Sequence, residues 1–429
     1  MDLTIGSIRK KLILCALPLI LSSVLQQSFS MVDTMIISHY CSAQALSAVS
    51  LASMPYSLLV VLLMGFGVGC SMVIGKVFGQ KDWKLLKNAV VSLLLTGGGL
   101  GAILAIACIL FSRPYLIWTK TPAAILDLTT AVLRTYALGL FFYGFGLIAS
   151  ALLNGLGYSR QTLMISAFSG ISNIVLDLIA VFYFKAGIMG CVIASLMAQF
   201  YSLIHSLYLL HQIAFKDTSA FQFQKTMMLE SFQIGSTSMI QGAMQNLLGI
   251  LVQAVINPFG IDYINGYNTG LLICSIFTMA INGYCTGYAA MLSQNYGAQK
   301  TERMQEAKKV SLQDGLILCL FISIVSFLFS KQLCVFILTA SSETSIQFGS
   351  FYILSSIPSL FINLYTQRIS HLLRLYHFNK QIIIATLLTI FIKIACLYPF
   401  AAVSIYLIPF TDIVSRLIGV VYLGKQRQF

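Results

Sequence analysis

Two carboxylates, Asp33 and Asp177, sit deep inside long apolar stretches of a 429-residue chain that carries only 13 acidic residues. Most of the other acids fall in polar connections or near helix ends. A carboxylate at membrane depth is costly unless it is paired, protonated or bound to an ion, so it marks an ion or proton site by default. Polar groups gather around both. Asn173 stands four residues before Asp177 and so shares its helix face; Gln26 stands seven before Asp33, again on one face. At about 1.5 Å per residue, Asp33 and Asp177 each lie about 8–9 Å in from the outer ends of their helices. Ser195 enters from the same side to about 12 Å. Two carboxylates, an amide oxygen and a hydroxyl form a ligand set for a hard cation such as Na⁺. The same acids can instead share one proton, because two like charges held together away from water do not both stay ionised. The plain alternative is that Asp33 caps a helix end and Asp177 bonds to nearby backbone. The common depth of four polar groups argues against it.

The elements that hold these residues must be membrane helices. The chain is 58% hydrophobic and 9% charged, against roughly 25% charged in a soluble protein, so it cannot cover a water-exposed surface. The first apolar stretch follows Arg9, Lys10 and Lys11 and runs for about 27 residues, too long for the core of a cleaved signal peptide. Runs of about 20 apolar residues span a bilayer, and twelve are legible. Six lie at about 12–38, 45–74, 89–111, 128–155, 161–183 and 187–211; six more lie at about 228–256, 264–291, 310–330, 346–373, 381–398 and 402–424. The formal charge of +13 does not point to nucleic acid. Lys and Arg concentrate in alternate loops, which places both termini in the cytoplasm. The ten cysteines contain no CxxC pair and mostly lie in apolar runs, where a thiol behaves as a small hydrophobe. Neither a disulfide framework nor a metal centre is expected, and no nucleophile–base set suggests an enzyme or a bound cofactor.

The chain also repeats itself. Gly65, Gly69 and Gly79 recur as Gly283, Gly287 and Gly297, and Gln80-Lys81 recurs as Gln299-Lys300 with one residue inserted. Leu152-Leu153 with Arg160-Gln161 recurs as Leu372-Leu373 with Lys380-Gln381. Six spans is an even number, so both halves insert the same way up, as two parallel repeats about an axis along the membrane normal. The expected division is an N-terminal lobe at 1–211, a cytoplasmic linker at 212–227 containing Lys216, Asp217 and Lys225, and a C-terminal lobe at 228–429. Within the second lobe, Asp412 and Arg416 stand four apart on span twelve and are expected to neutralise each other. Lys393 either snorkels to the interface or faces an internal cavity. The five histidines, His39, His205, His211, His371 and His377, lie near span ends and form no ligand cluster. Pro18 removes a backbone hydrogen bond within span one and predicts a kink there.

In these features the chain resembles the multidrug and toxic compound extrusion (MATE) family of secondary transporters. The likeness rests on Pro18, Gln26-Gln27 and Met31-Val32-Asp33-Thr34, then on Gly65-Phe66-Gly67 running to Gly79-Gln80-Lys81. Leu152 to Gly157 follows, then Asn173 and Asp177, and Gly187, Gly190 and Ser195 where the family usually ends on Thr. Ser293 to Ala298 carries it into the second half. The resemblance implies two six-helix lobes in a V around a central cavity, alternating between outward-open and inward-open states. It implies a monomeric exporter of organic cations and amphiphilic drug-like compounds in a bacterial plasma (inner) membrane, driven by H⁺ or Na⁺. In the DinF-like branch the coupling site lies in the first lobe. Carried over, it is Asp33, Asn173, Asp177 and Ser195, with Gln26, Tyr136 and Asn154 as cavity partners, and with Na⁺ possible at the first four. The NorM-like branch has acids in spans seven and ten, where this chain has Gln245 and Asn363. Amides take up no proton at neutral pH, which favours the DinF-like reading. The alternative is a flippase for a lipid-linked saccharide from the same broader superfamily; such proteins carry a strongly cationic cavity, whereas here only Lys393 and Arg416 are basic within spans.

Overall fold

A computed structural model describes residues 1–40, 43–215, 219–338 and 342–425. Twelve helices in it are long and apolar enough to cross a membrane, and no strand occurs among the described residues. In order they are α1 (Ile8–Tyr40), α2 (Ala43–Gln80), α3 (Trp83–Trp118), α4 (Ala123–Gly155), α5 (Ser159–Leu178), α6 (Gly187–Ala214), α7 (Lys225–Ile256), α8 (Ile261–Gly297), α9 (Thr301–Ile337), α10 (Glu343–Leu375), α11 (Asn379–Val403) and α12 (Ile408–Lys425). Ten of the predicted spans fall within one helix each; the fifth, 161–183, runs past α5 through the turn at 179–183, and the twelfth, 402–424, starts on the last residues of α11. Most helices run longer than their spans. Helix α9 has 37 residues, about 55 Å at the standard rise, against a hydrocarbon core of about 30 Å. The polar sequence Thr301–Lys309 continues the helix beyond the apolar run. Hydropathy marks the part of a helix that meets lipid, not where its backbone bonding ends.

The duplication reaches the backbone. Left-handed residues end α2 and α8 at Lys81 (φ 60°) and Gln299 (φ 56°), and α4 and α10 at Gly157 (φ 78°) and His377 (φ 61°). At the second pair the same three bonds recur: Leu156, Gly157 and Tyr158 donate to Leu152, Asn154 and Leu153, as Tyr376, His377 and Phe378 donate to Leu372, Arg374 and Leu373. The backbone therefore pairs Lys81 with Gln299, at the same offset as the glycines. The one-residue insertion expected between Gln80-Lys81 and Gln299-Lys300 is not needed. Side-chain identity had slipped by one position because the turn is defined by dihedral angle, not by residue type.

Two compact units emerge. One holds residues 1–5, 24–239 and 293–300; the other holds 6–23, 240–292 and 301–429. Compactness thus divides the chain differently from the sequence-defined lobes, since the opening parts of α1 and α7 each join the other repeat's spans. Part of the expected linker, 216–218 with Lys216 and Asp217, lies outside the described residues. The rest is not free-running: 212–214 belong to α6, and the segment after 218 is tied to α3. Lys87 Nζ donates to the Ser219 carbonyl at 2.6 Å, and Asn88 Oδ1 and Ser92 Oγ accept from the Gln222 and Gln224 amides at 3.2 and 2.8 Å.

Lipid is as apolar as the helices, so helix association within it depends on close packing and polar contacts. In the first unit α4 packs against α2, α3 and α6; in the second, α12 packs against α10 and α11. Glycine sets the closest approaches. A Cβ on Gly69 of α2 would come within 2.0 Å of the Ser231 carbonyl oxygen of α7, and one on the equivalent Gly287 of α8 within 2.9 Å of Ala16 Cα of α1. The repeated glycines are thus seats for another helix's backbone. Gly69→Val is expected to lower the melting temperature of the detergent-purified protein, by the equivalent of about 1–3 kcal/mol of overpacking. Gly99→Val, where a Cβ meets nothing within 4 Å, serves as the matched control and should melt no lower than wild type.

Candidate functional site

The first unit gathers its polar side chains from five helices. Asp33 projects from α1 and Asp177 from the last turn of α5, and the two carboxyl groups lie within interacting range of each other. Asp177 is 0% exposed. Asp33 Oδ1 and both Asp177 oxygens are buried without a donor. Two acceptors facing each other form no hydrogen bond until a proton or a cation stands between them. One turn earlier on α5, Asn173 Nδ2 donates to Ser195 Oγ of α6 at 3.2 Å, which leaves its carbonyl oxygen as the amide's remaining ligand atom. Spacing along the helices predicts Asp33, Asp177 and Ser195 in one layer, with Asn173 on the same face of α5 as Asp177. The structure brings them together as two contacting pairs joined through α5.

Aromatic hydroxyls complete the surroundings. Tyr136 of α4 is in electrostatic range of both carboxyls, and its ring stacks on Tyr56 of α2 with centroids 4.9 Å apart. Gln199 lies beside Tyr56, and its buried Oε1 meets no donor. Neither Tyr56 nor Gln199 was anticipated. A signal for Gln199 existed, since it follows Ser195 by four residues on α6, the same spacing that links Asn173 to Asp177. Tyr56 offered none, being one of 20 tyrosines.

Helix α5 also changes form at the acid. Immediately after it, Ile179–Tyr183 is a π-helical turn, closed by the Phe184 amide donating to the Ile179 carbonyl at 3.1 Å. Single π turns inside α-helices are rare and occur often at functional sites. The apolar pattern of span five reads as regular helix, so nothing in the residue types gave it away.

Other expected partners lie elsewhere. Gln26 Nε2 donates to Ser166 Oγ of α5 at 3.3 Å, about two turns along α1 from Asp33. Asn154 is near the C-terminal end of α4, about 27 Å along the helix from Tyr136, so the structure does not bring it to the acids. Its Oδ1 is buried without a partner. Pro18 belongs to the second unit, about 22 Å along α1 from Asp33, and α1 runs through it as continuous helix.

The second unit has a different chemistry. Lys393 Nζ of α11 bonds Asp412 Oδ1 of α12 at 2.6 Å, which answers the choice left open for Lys393: it faces inward to a carboxylate. The expected Asp412–Arg416 pair is corrected accordingly. Arg416 Nη1 instead donates to Asn363 Oδ1 of α10 at 3.3 Å. Residues four apart on one helix share a face, but α11 packs directly on α12 and brings a competing ammonium closer. Asn363 Nδ2 in turn donates to Asn282 Oδ1 of α8 at 3.5 Å, as does Gln367 Nε2 at 3.4 Å. Gln245 of α7 is exposed.

An all-helical membrane protein with twelve spans, a repeated backbone and polar clusters inside its spans has the build of a secondary transporter. A family model described as MatE matches residues 18–179 and again 238–398, the second block beginning 220 residues after the first (238 against 18). The chain belongs to the MatE family and is a membrane transporter, not an enzyme. Its relatives include a probable multidrug resistance protein, YpnP, of Bacillus subtilis, 24% identical over 307 residues that cover 71% of this chain and 68% of that protein. Another is the multidrug export protein MepA of Staphylococcus aureus, 21% identical over 354 residues, covering 81% and 77%. An outward-facing multidrug resistance MATE family transporter of the MOP superfamily superposes with a TM-score of 0.88 at 17% identity, over 99% of this chain and 97% of that one. At that identity the likeness speaks to the fold.

The Lys393–Asp412 contact yields a stability prediction. Lys393→Met strips a carboxylate of its direct partner at membrane depth and should cost about 1–3 kcal/mol. Lys393→Met combined with Asp412→Leu should recover most of that loss. A double-mutant cycle read by thermal melting in detergent measures the coupling; additive effects would show that the pair contributes nothing.

Proposed function

We propose that this chain exports organic cations and other amphiphilic drug-like compounds by alternating access, in exchange for H⁺ or Na⁺ bound at Asp33 and Asp177. The observation that carries this reading is the buried carboxyl pair with three oxygens lacking any donor. A group of that kind is stable in apolar surroundings only when a proton or cation neutralises it. The oxygens of Asn173 and Ser195 are the other ligands for Na⁺; among the described residues no cluster of three or more His, Cys, Asp or Glu forms an alternative metal site. Export is supported by the relatives' names as multidrug resistance and export proteins. The coupling ion is cargo, and the protein performs no covalent chemistry.

In the cycle we infer, the external cation neutralises the pair, α5 repacks at its π turn and α1 with it, and drug is released outward. The repeats, 1–211 and 228–429 joined by 212–227, act as the two lobes, with both termini cytoplasmic and the protein acting as a monomer. Ion and drug must favour different states, because a ligand indifferent to state shifts no equilibrium. The DinF-like branch is favoured by the second unit, where Asn363 is occupied by Arg416 and offers no titratable group.

Asp33→Asn and Asp177→Asn, each at wild-type expression in an efflux-deficient host, are expected to reduce cationic-dye export at least about tenfold. The double variant should be no worse than either single, since the two acids act as one site. Wild-type export by both single variants would refute coupling at this pair. Imposing pH and Na⁺ gradients separately on proteoliposomes then identifies the ion.

A further inference from the structure

The second unit carries an excess of positive charge at membrane depth. Lys393, Arg416 and Asp412 are the charged groups of the cluster, two cations against one anion. Asp412 is engaged at 2.6 Å by Lys393. Among the described residues Arg416 has the neutral Asn363 oxygen, at 3.3 Å, as its hydrogen-bond partner. Asp412 feels Arg416 as well, but one carboxylate does not compensate two cations. A guanidinium has five N–H donors in a planar fork that fits an oxyanion two bonds at a time, and one bond to an amide leaves that capacity largely unused.

Arg416 stands near the middle of its helix, the depth at which secondary transporters bind cargo. Arg416 is eight residues from the start of α12 at Ile408, about 12 Å along the helix, and nine from Lys425 at its other end. Asn363 and Asn282 are likewise interior to α10 and α8. Secondary transporters bind cargo near the bilayer midplane, and lipid headgroups do not reach that depth. The amides beside the guanidinium are oriented, since Asn282 accepts from both Asn363 and Gln367. Its own Nδ2 remains as a second neutral donor.

The geometry points to an oxyanion subsite in the second unit, formed by Arg416 with Asn282 and Asn363, that takes the carboxylate of a transported compound. The size of the excess decides the class. One surplus positive charge matches one carboxylate, whereas a diphosphate headgroup carries at least two charges and calls for a larger basic array. The inference rests on the export reading and extends its substrates to zwitterionic, carboxylate-bearing amphiphiles.

Rhodamine 110 and rhodamine 123 test it, because they share one cationic ring system and differ only in a free carboxylate against its methyl ester. Binding of each dye to the detergent-purified full chain is followed by fluorescence polarisation, for wild type, Arg416→Gln and Arg416→Lys. The expected result is that wild type binds both dyes and that Arg416→Gln raises the ratio of the rhodamine 110 Kd to the rhodamine 123 Kd at least about tenfold. That is the loss of one charge-assisted contact. Arg416→Lys, which keeps the charge but not the fork, should recover part of the ratio. An unchanged ratio in Arg416→Gln overturns the inference, whether both dyes weaken together or neither does. Binding of rhodamine 123 alone by wild type overturns it too, while leaving export intact. Binding of neither dye counts against the export reading and removes the inference with it. Melting temperatures of the variants accompany each measurement, and the ratio of two ligands on one preparation is insensitive to the fraction folded.

Discussion

Charge placed where water is scarce is the constraint on which this molecule depends. Inside a bilayer the helices gain little from burying apolar surface, so the polar groups they carry dominate their energetics. Every ionisable side chain at depth must be answered by a partner, a proton or a ligand. In the first unit Asp33 and Asp177 answer each other with like charge, which leaves room for a third party. In the second unit Lys393 and Asp412 answer each other with opposite charge, and Arg416 is left over. Two units built on one repeat have thus arrived at opposite electrostatic signs.

The scaffold serves that contrast. Glycines at equivalent places in α2 and α8 let another helix approach backbone to backbone. Left-handed residues at equivalent turns reverse the chain in the same way in each half. The π turn at Ile179–Tyr183 breaks the equivalence locally, next to Asp177. A wide turn lowers the regularity of backbone bonding where the buried acid sits, and a helix is easiest to rearrange where its bonding is least regular. The N-terminal part of α1 and the part that carries Asp33 belong to different compact units, so one helix is common to both.

Much of the first site was legible because helical spacing and depth are one-dimensional quantities. Asn173, Asp177 and Ser195 could be placed by counting residues from helix ends, and the Asn173–Ser195 contact at 3.2 Å agrees with that counting. Asn154 shows where the approach fails: its residue type suits a cavity, yet it stands at the far end of its helix. Gln199 was readable by the same four-residue rule and was passed over, whereas Tyr56 was not readable. The Asp412–Arg416 expectation failed for a related reason, since sequence spacing sees neighbours on the same helix and is blind to Lys393 on the next.

By itself the sequence determined that this is a membrane protein, how many times it crosses, that it is duplicated and which residues are too polar for their depth. All of these follow from composition and period, which the linear chain displays directly. Only the tertiary structure decided which charge meets which. It paired Asp33 with Asp177, gave Lys393 to Asp412, left Arg416 to an amide and set a π turn beside the buried acid. Those outcomes depend on distances between side chains on different helices, and a difference of a few ångströms there, at low dielectric, outweighs any preference written into neighbouring residues.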